Sequence, residues 1–252
     1  MNAKQIQLMS RCAVTALTLL ALTACDPFAK EKAEHAEKTR IECLDKICYG
    51  DVAPKFDHLN EALLKLNGQW YLGPKEYFST GNPVSGFEWW EHKPISRGMK
   101  RPPEMQALAV DGKGYDFSIE IFLTGRQSWP TPNVEKPWEA RGWEAQFQKL
   151  QKDGFKISRQ QVRSDLEVVT FVKPDGKPYN TTFYIATKQK NIRGADLPGI
   201  SCLSVTETCS TGDFWQEDVY TRLRFHIKHA QDWPAIHQEV IRVLNLAKKV
   251  QS

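Results

Sequence analysis

His226 and His229 stand three positions apart and come closest in this chain to a pair of metal ligands. They fall where a strand pattern ends, so the spacing does not put them on one face. The other four histidines are scattered, and no H-E-x-x-H, P-loop or G-x-G-x-x-G is present. The string nearest to a serine-nucleophile elbow is Gly199-Ile200-Ser201-Cys202-Leu203. It lacks the second glycine of G-x-S-x-G, so Ser201 reads as a loop serine. Glu88 and Glu91 flank Trp89 and Trp90, a carboxylate–aromatic grouping that a sugar site would use and that any exposed strand also provides. These residues assemble no complete catalytic constellation and imply no cofactor and no metal.

Cysteine and tryptophan carry more information. Of six cysteines, Cys12 and Cys25 lie in or at the end of an apolar leader. The remaining four are Cys43, Cys48, Cys202 and Cys209. Each pair is close in sequence and flanked by loop-forming residues, which predicts disulfides Cys43–Cys48 and Cys202–Cys209 in an exported domain. Zinc is the alternative, but C-x4-C and C-x6-C depart from the usual C-x2-C spacing. Eight tryptophans are many for 252 residues. Trp129 in Ser-Trp-Pro-Thr-Pro and Trp215 in Gly-Asp-Phe-Trp-Gln stand in turn-rich segments. Trp89 and Trp90 are neighbours on one strand, so a one-sided sheet buries only one of them. These four, Trp89, Trp90, Trp129 and Trp215, are the candidate partner-binding anchors, because tryptophan is enriched among interface hot spots. The competing reading is that they plug the edges of the core.

The leader frames the rest. Lys4 and Arg11 precede an uncharged run from Cys12 to Ala24, too short for the roughly 20 residues that span a bilayer. The run ends in Leu22-Thr23-Ala24-Cys25, which resembles the lipobox of bacterial lipoproteins. That resemblance implies cleavage after residue 24, acylation of Cys25, and anchoring of a periplasmic domain to the membrane through its N-terminal lipid. Asp26 directly after the cysteine resembles an inner-membrane retention signal, and the outer membrane is the alternative. Residues 1–24 form the signal and 25–40 a polar tether. Residues 41–252 form the globular domain. The leader holds two of the 34 basic residues and none of the 30 acidic ones, so the mature chain is only slightly basic, with no basic block. That excludes nucleic acid as a natural partner.

Periodicity places the elements. Asn67-Gly68 between Ala62–Leu66 and Gln69–Leu72 marks a hairpin with a type I′ turn. Ser85–Lys93 reads as a strand with Phe87 and Trp89 on one face. Met105–Val110 and Tyr115–Leu123 read as a second hairpin around Asp111-Gly112-Lys113-Gly114, and Leu166–Val172 and Thr181–Ala186 as a third around Pro174-Asp175-Gly176. Val219–Lys228 is a long strand with one polar face. Helices are expected over Trp138–Lys152, ended by Gly154, and from Asp232 as N-cap to Val250. The class is α+β: an antiparallel sheet built from several hairpins, covered by two amphipathic helices, in a single compact domain.

Two stretches, Cys48-Tyr49-Gly50-Asp51-Val52-Ala53-Pro54-Lys55 and Lys65-Leu66-Asn67-Gly68-Gln69-Trp70-Tyr71-Leu72-Gly73-Pro74-Lys75-Glu76-Tyr77, resemble immunity lipoproteins of type VI secretion phospholipase effectors. The resemblance covers the signal, the tether and the N-terminal third. It implies a periplasmic protein that binds and neutralises a secreted phospholipase effector and has no activity of its own. Two alternatives stay open: an envelope lipoprotein that binds a small ligand or assists envelope assembly, and an envelope enzyme.

Overall fold

A computed structural model describes residues 28–96, 99–125, 137–190, 197–216 and 219–251. Cys25, Trp129 and the whole leader lie outside the described residues. The chain divides into two units, Met1–Ile41 and Glu42–Ser252. The described part of the first is almost all helix α1, Ala29–Glu42, which ends at the first residue of the second and whose sequence AKEKAEHAEKTRIE has no apolar stripe. It is a solvated helix laced by pairs such as Arg40–Glu37 at 2.7 Å.

The second unit is built on two antiparallel sheets. The smaller holds β1 (Glu61–Leu66), β2 (Gln69–Pro74) and β12 (Lys248–Val250), in the order β1-β2-β12. The larger has nine strands: β3 (Val84–Trp90), β4 (Lys93–Ile95), β5 (Ser118–Gly125), β6 (Lys156–Arg163), β7 (Leu166–Val172), β8 (Thr181–Ala186), β9 (Gly199–Leu203), β10 (Thr208–Gln216) and β11 (Val219–His226). Their spatial order is β4-β3-β5-β11-β10-β9-β8-β7-β6. The α+β class with hairpin-built antiparallel sheets is therefore the observed one. Helices α2 (Pro103–Leu108), α3 (Pro137–Lys152) and α4 (Trp233–Leu246) belong to this unit. With α1 the described residues form four α-helices, not the two expected.

Where periodicity was strong, structure followed it. Asn67 and Gly68 take φ of 51° and 75°, as a type I′ turn requires, and β1 and β2 pair from Leu66↔Gln69 outward. Ile119, Ile121 and Leu123 alternate inward along β5, as do Val219, Thr221, Leu223 and Phe225 along β11. Gly154 ends α3 with φ of 86°, and Phe155 N–H bonds back to the Leu150 carbonyl.

Three expectations are corrected, and one strand appears where none was expected. Met105–Val110 is not a strand of a second hairpin: Pro103 opens α2, where its missing N–H costs nothing, and Glu104, Met105, Gln106, Ala107 and Leu108 are all good helix formers. The cysteine loop at 202–209 is a hairpin, with Cys202 and Cys209 directly opposite on β9 and β10. The polar stretch Lys156–Arg163 is the edge strand β6, held by the β7 ladder and by Arg159, whose guanidinium bonds Glu167 and Glu144. Finally, α4 stops at Leu246. Lys248–Val250 then pairs with β2 and covers an open sheet edge that would otherwise solicit another chain.

Two apolar clusters result. The larger joins β1, β2, β3, β5 and β11 to α4 through Leu64, Phe87, Ile119, Leu223, Trp233, Val240 and Leu244. The smaller sets Phe147 of α3 against Val169, Phe171, Phe183 and Ile185.

Candidate functional site

Both predicted disulfides are present, Cys43–Cys48 and Cys202–Cys209. They accord with an oxidising compartment outside the cytoplasm. No helix among the described residues is long and apolar enough to cross a membrane. No three ligating side chains among the described residues gather in metal-binding geometry. His226 and His229 both approach Asp116, His226 Nε2 at 4.0 Å from its carboxylate. His226 Nε2 also lies 3.5 Å from Glu207, while buried His229 makes a 2.9 Å hydrogen bond to the Asp116 carbonyl. Ser201 Oγ donates to the Ser210 carbonyl across the β9–β10 hairpin, 3.1 Å away. Glu88 is buried and paired with Arg101. Among the described residues, neither has a hydrogen-bond partner that would activate it for catalysis.

The tryptophans divide as the strand rule demands. Trp89 is 1% exposed and donates its Nε1–H to Asp232 at 2.8 Å. Trp90 points to the other side and is partly covered by the Phe117 ring, edge-on at 5.0 Å. Trp215 is buried against Tyr71, with ring centroids 5.4 Å apart. A side chain with almost no exposed surface has none to offer a partner, so Trp89 and Trp215 serve packing. Trp90 alone of the described candidates keeps a face toward solvent.

Two arrangements stand out, and the first is the loop from Cys43 to Pro54. Its disulfide closes a single turn. The Asp45 carboxylate accepts from two backbone N–H groups, Asn67 at the β1–β2 turn and Gly125 at the end of β5, both at 2.7 Å. Gly68 N–H bonds the Leu44 carbonyl at 2.8 Å. The Asp51 carboxylate accepts from Cys48 N–H at 2.7 Å and from Lys65 Nζ at 2.6 Å. Burial alone would raise its pKa, but Lys65 and the Cys48 N–H together hold it below the ordinary carboxylate value. With its polar groups turned inward in this way, the loop shows apolar ones to water. Tyr49 is fully exposed, Val52 largely so and Ile47 partly.

The second arrangement surrounds Asp232. Glu91 and His92, the two-residue turn between β3 and β4, both take left-handed φ, 45° and 64°. Non-glycine residues adopt that region at a cost of roughly 1–2 kcal/mol each. His92 is held there by its Nδ1–H, which donates to Asp232 at 2.8 Å. Asp232 was expected to cap α4. It makes no side-chain cap bond, because its carboxylate is turned to Trp89 and His92 instead. Beside this group opens a cleft of about 630 Å³ lined by His92, Arg163, Tyr184, Lys228, Asp232 and Ala235, among others.

No family model matches the chain, and no curated protein or solved structure matches it either. The site is therefore read from its own chemistry. The Cys43–Pro54 loop is a preformed apolar projection, suited to protein contact. The cleft is a polar recess of ligand size. A histidine oriented by a carboxylate is half of an acid–base device, but no hydrogen bond among the described residues joins His92 to a hydroxyl or thiol nucleophile.

The sequence offered little to find either. Tyr49 and Val52 lie inside the stretch that carries the family resemblance, and the cue was a disulfide-closed segment followed by Tyr-Gly-Asp. The cleft unites residues from position 92 to position 235, and no local spacing announces that.

Proposed function

We propose that this chain is a membrane-anchored periplasmic lipoprotein that binds and neutralises a type VI secreted phospholipase, with no catalysis of its own. The observation that carries the reading is the Cys43–Pro54 loop. It is fixed by a disulfide and five hydrogen bonds, and it holds Tyr49 fully in solvent. Leaving a large apolar group exposed on a rigid support gives a monomer nothing. It serves recognition, because the ordering entropy is already spent before the partner arrives. Tyr49 brings a large, stiff, amphipathic contact, and Val52 and Ile47 of the same loop are also exposed. The disulfides support an exported domain, and the lipobox-like Leu22–Cys25 supports the anchor.

A second reading, a lipoprotein that binds a small ligand, draws on the cleft beside Asp232.

Protection is the test. Cells exposed in the periplasm to a type VI secreted phospholipase should survive when the chain is co-expressed and die without it. Tyr49→Ala should weaken binding of the purified proteins by roughly 30-fold, about 2 kcal/mol, with an unchanged melting temperature. Absence of both protection and binding by the unaltered chain would sink the reading.

A further inference from the structure

The cleft beside Asp232 brings together two cationic side chains and a histidine from three separate elements. His92 comes from the β3–β4 turn and Arg163 from the end of β6. Lys228 comes from the short helical turn between β11 and α4. Two of them have carboxylate partners that stand outside the cleft lining. Arg163 gives Nε and Nη2 to Asp165, at 2.6 and 3.3 Å, which leaves Nη1 to donate elsewhere. Lys228 has Asp116 3.5 Å away and lies over the Phe117 ring, 3.6 Å from its centroid. The one carboxylate in the lining, Asp232, already accepts from Trp89 and His92. The open wall is therefore rich in donors. Ile227, Ala235 and the Tyr184 ring add apolar surface.

We propose that this cleft binds a small phosphate ester, with the phosphoryl oxygens on Arg163 and Lys228 and the organic part against Ile227, Ala235 and Tyr184. Guanidinium and ammonium groups are the usual protein partners of phosphate, because their hydrogen bonds are charge-assisted and their geometry fits its oxygens. The volume exceeds what a bare ion needs and falls in the range of small-molecule sites. Burial lowers the pKa of Lys228 despite Asp116, so an arriving anion restores to the ammonium the partner charge that desolvation withholds. The costly left-handed turn also has a use here, since it aims His92 at the rim of the recess. This inference is independent of the phospholipase reading, because it uses none of the Cys43–Pro54 loop. The ester has two natural sources at a membrane: a soluble metabolite or a phospholipid headgroup.

Calorimetric titration of the full chain carrying Cys25→Ser, so that no acyl tail contributes, tests the proposal with glycerol 3-phosphate. Vesicles of phosphatidylglycerol, with phosphatidylcholine vesicles as control, form the second arm. We expect saturable binding of one or both phosphate probes that weakens with salt and falls at least tenfold in Arg163→Gln and in Lys228→Met. Both variants keep the aliphatic part of the side chain at exposed or half-exposed positions. Binding of the soluble ester alone identifies a metabolite site, and preferential binding to phosphatidylglycerol vesicles a headgroup site. No binding of either probe at tens of millimolar phosphate overturns the proposal. So does binding that both variants leave intact.

Discussion

His237 shows how much of this fold's stability rests on a group that acid can reach. Its ring is 4% exposed, bonded through Nδ1 to Gln189 Oε1 at 2.9 Å and set edge-on to Trp233. Burial pushes its pKa down from 6.5 to about 4. Below about pH 6.5 the unfolded chain takes up a proton that the folded chain refuses. Stability is therefore complete above that pH and is lost as the pH falls toward 4. The shift corresponds to about 3 kcal/mol from this one residue. His229, also lowered to about 4 mainly by burial, acts in the same direction. We expect the urea midpoint of the wild-type domain to fall between neutral pH and about pH 4.5, and to fall less in His237→Leu. Equal slopes in the two proteins would show that His237 does not contribute. Nothing in the sequence marked it, since a histidine on the stripe of an amphipathic helix looks the same whether it is buried or solvated.

At the scale of elements, the end of β5 and the β1–β2 turn act as a socket for the Cys43–Pro54 loop. Gly125 is the close-approach point. A Cβ there would lie 2.5 Å from Asp45 Oδ1 and 2.7 Å from the Asn67 nitrogen, and backbone cannot yield as a side-chain tip can. Gly125→Ala should cost about 1–3 kcal/mol and unseat Asp45 from its two amides. The measurable results are a lower melting temperature and faster amide exchange at Asn67 and Gly68. Unchanged exchange at those amides would mean the loop is held by its disulfide alone. Elements with a strong pattern were legible in the sequence: the Asn67-Gly68 hairpin, β5, β11, α3 and α4. Those held by neighbours rather than by their own burial were not. Strand β6 is almost wholly exposed and survives on the β7 ladder and the Arg159 fork, so it carries no alternation to read. Strand β12 exists because β2 offers an open edge at that point, which no local signal in Lys248–Val250 expresses.

For the whole molecule, the proposed acylation of Cys25 would decide where this surface chemistry operates. If Cys25 carries the lipid, the apolar loop and the cationic cleft both work within reach of a bilayer, where phospholipases and phosphate headgroups are found. Cys25→Ser should abolish incorporation of a fatty-acid analogue and leave a soluble or unprocessed chain. The two disulfides should be unaffected. Label retained in the variant would remove the anchor. Closing the short Cys202–Cys209 loop should add at most about 2–3 kcal/mol, so reduction should loosen the domain without unfolding it outright.

The sequence by itself determined the local decisions: the exported, cysteine-paired character of the chain, the alternating strands, the turn residues and the apolar stripes. These follow from short-range sterics and from burial of one face, which a window of ten residues already contains. Tertiary structure alone decided which tryptophans face inward. It also turned Asp232 from a helix cap into the acceptor for Trp89 and His92, and assembled Arg163 and Lys228 across a cleft. Those outcomes depend on pairing between strands far apart in the chain. The order β4-β3-β5-β11-β10-β9-β8-β7-β6 brings position 92 to position 232, and only the folded sheet specifies that distance.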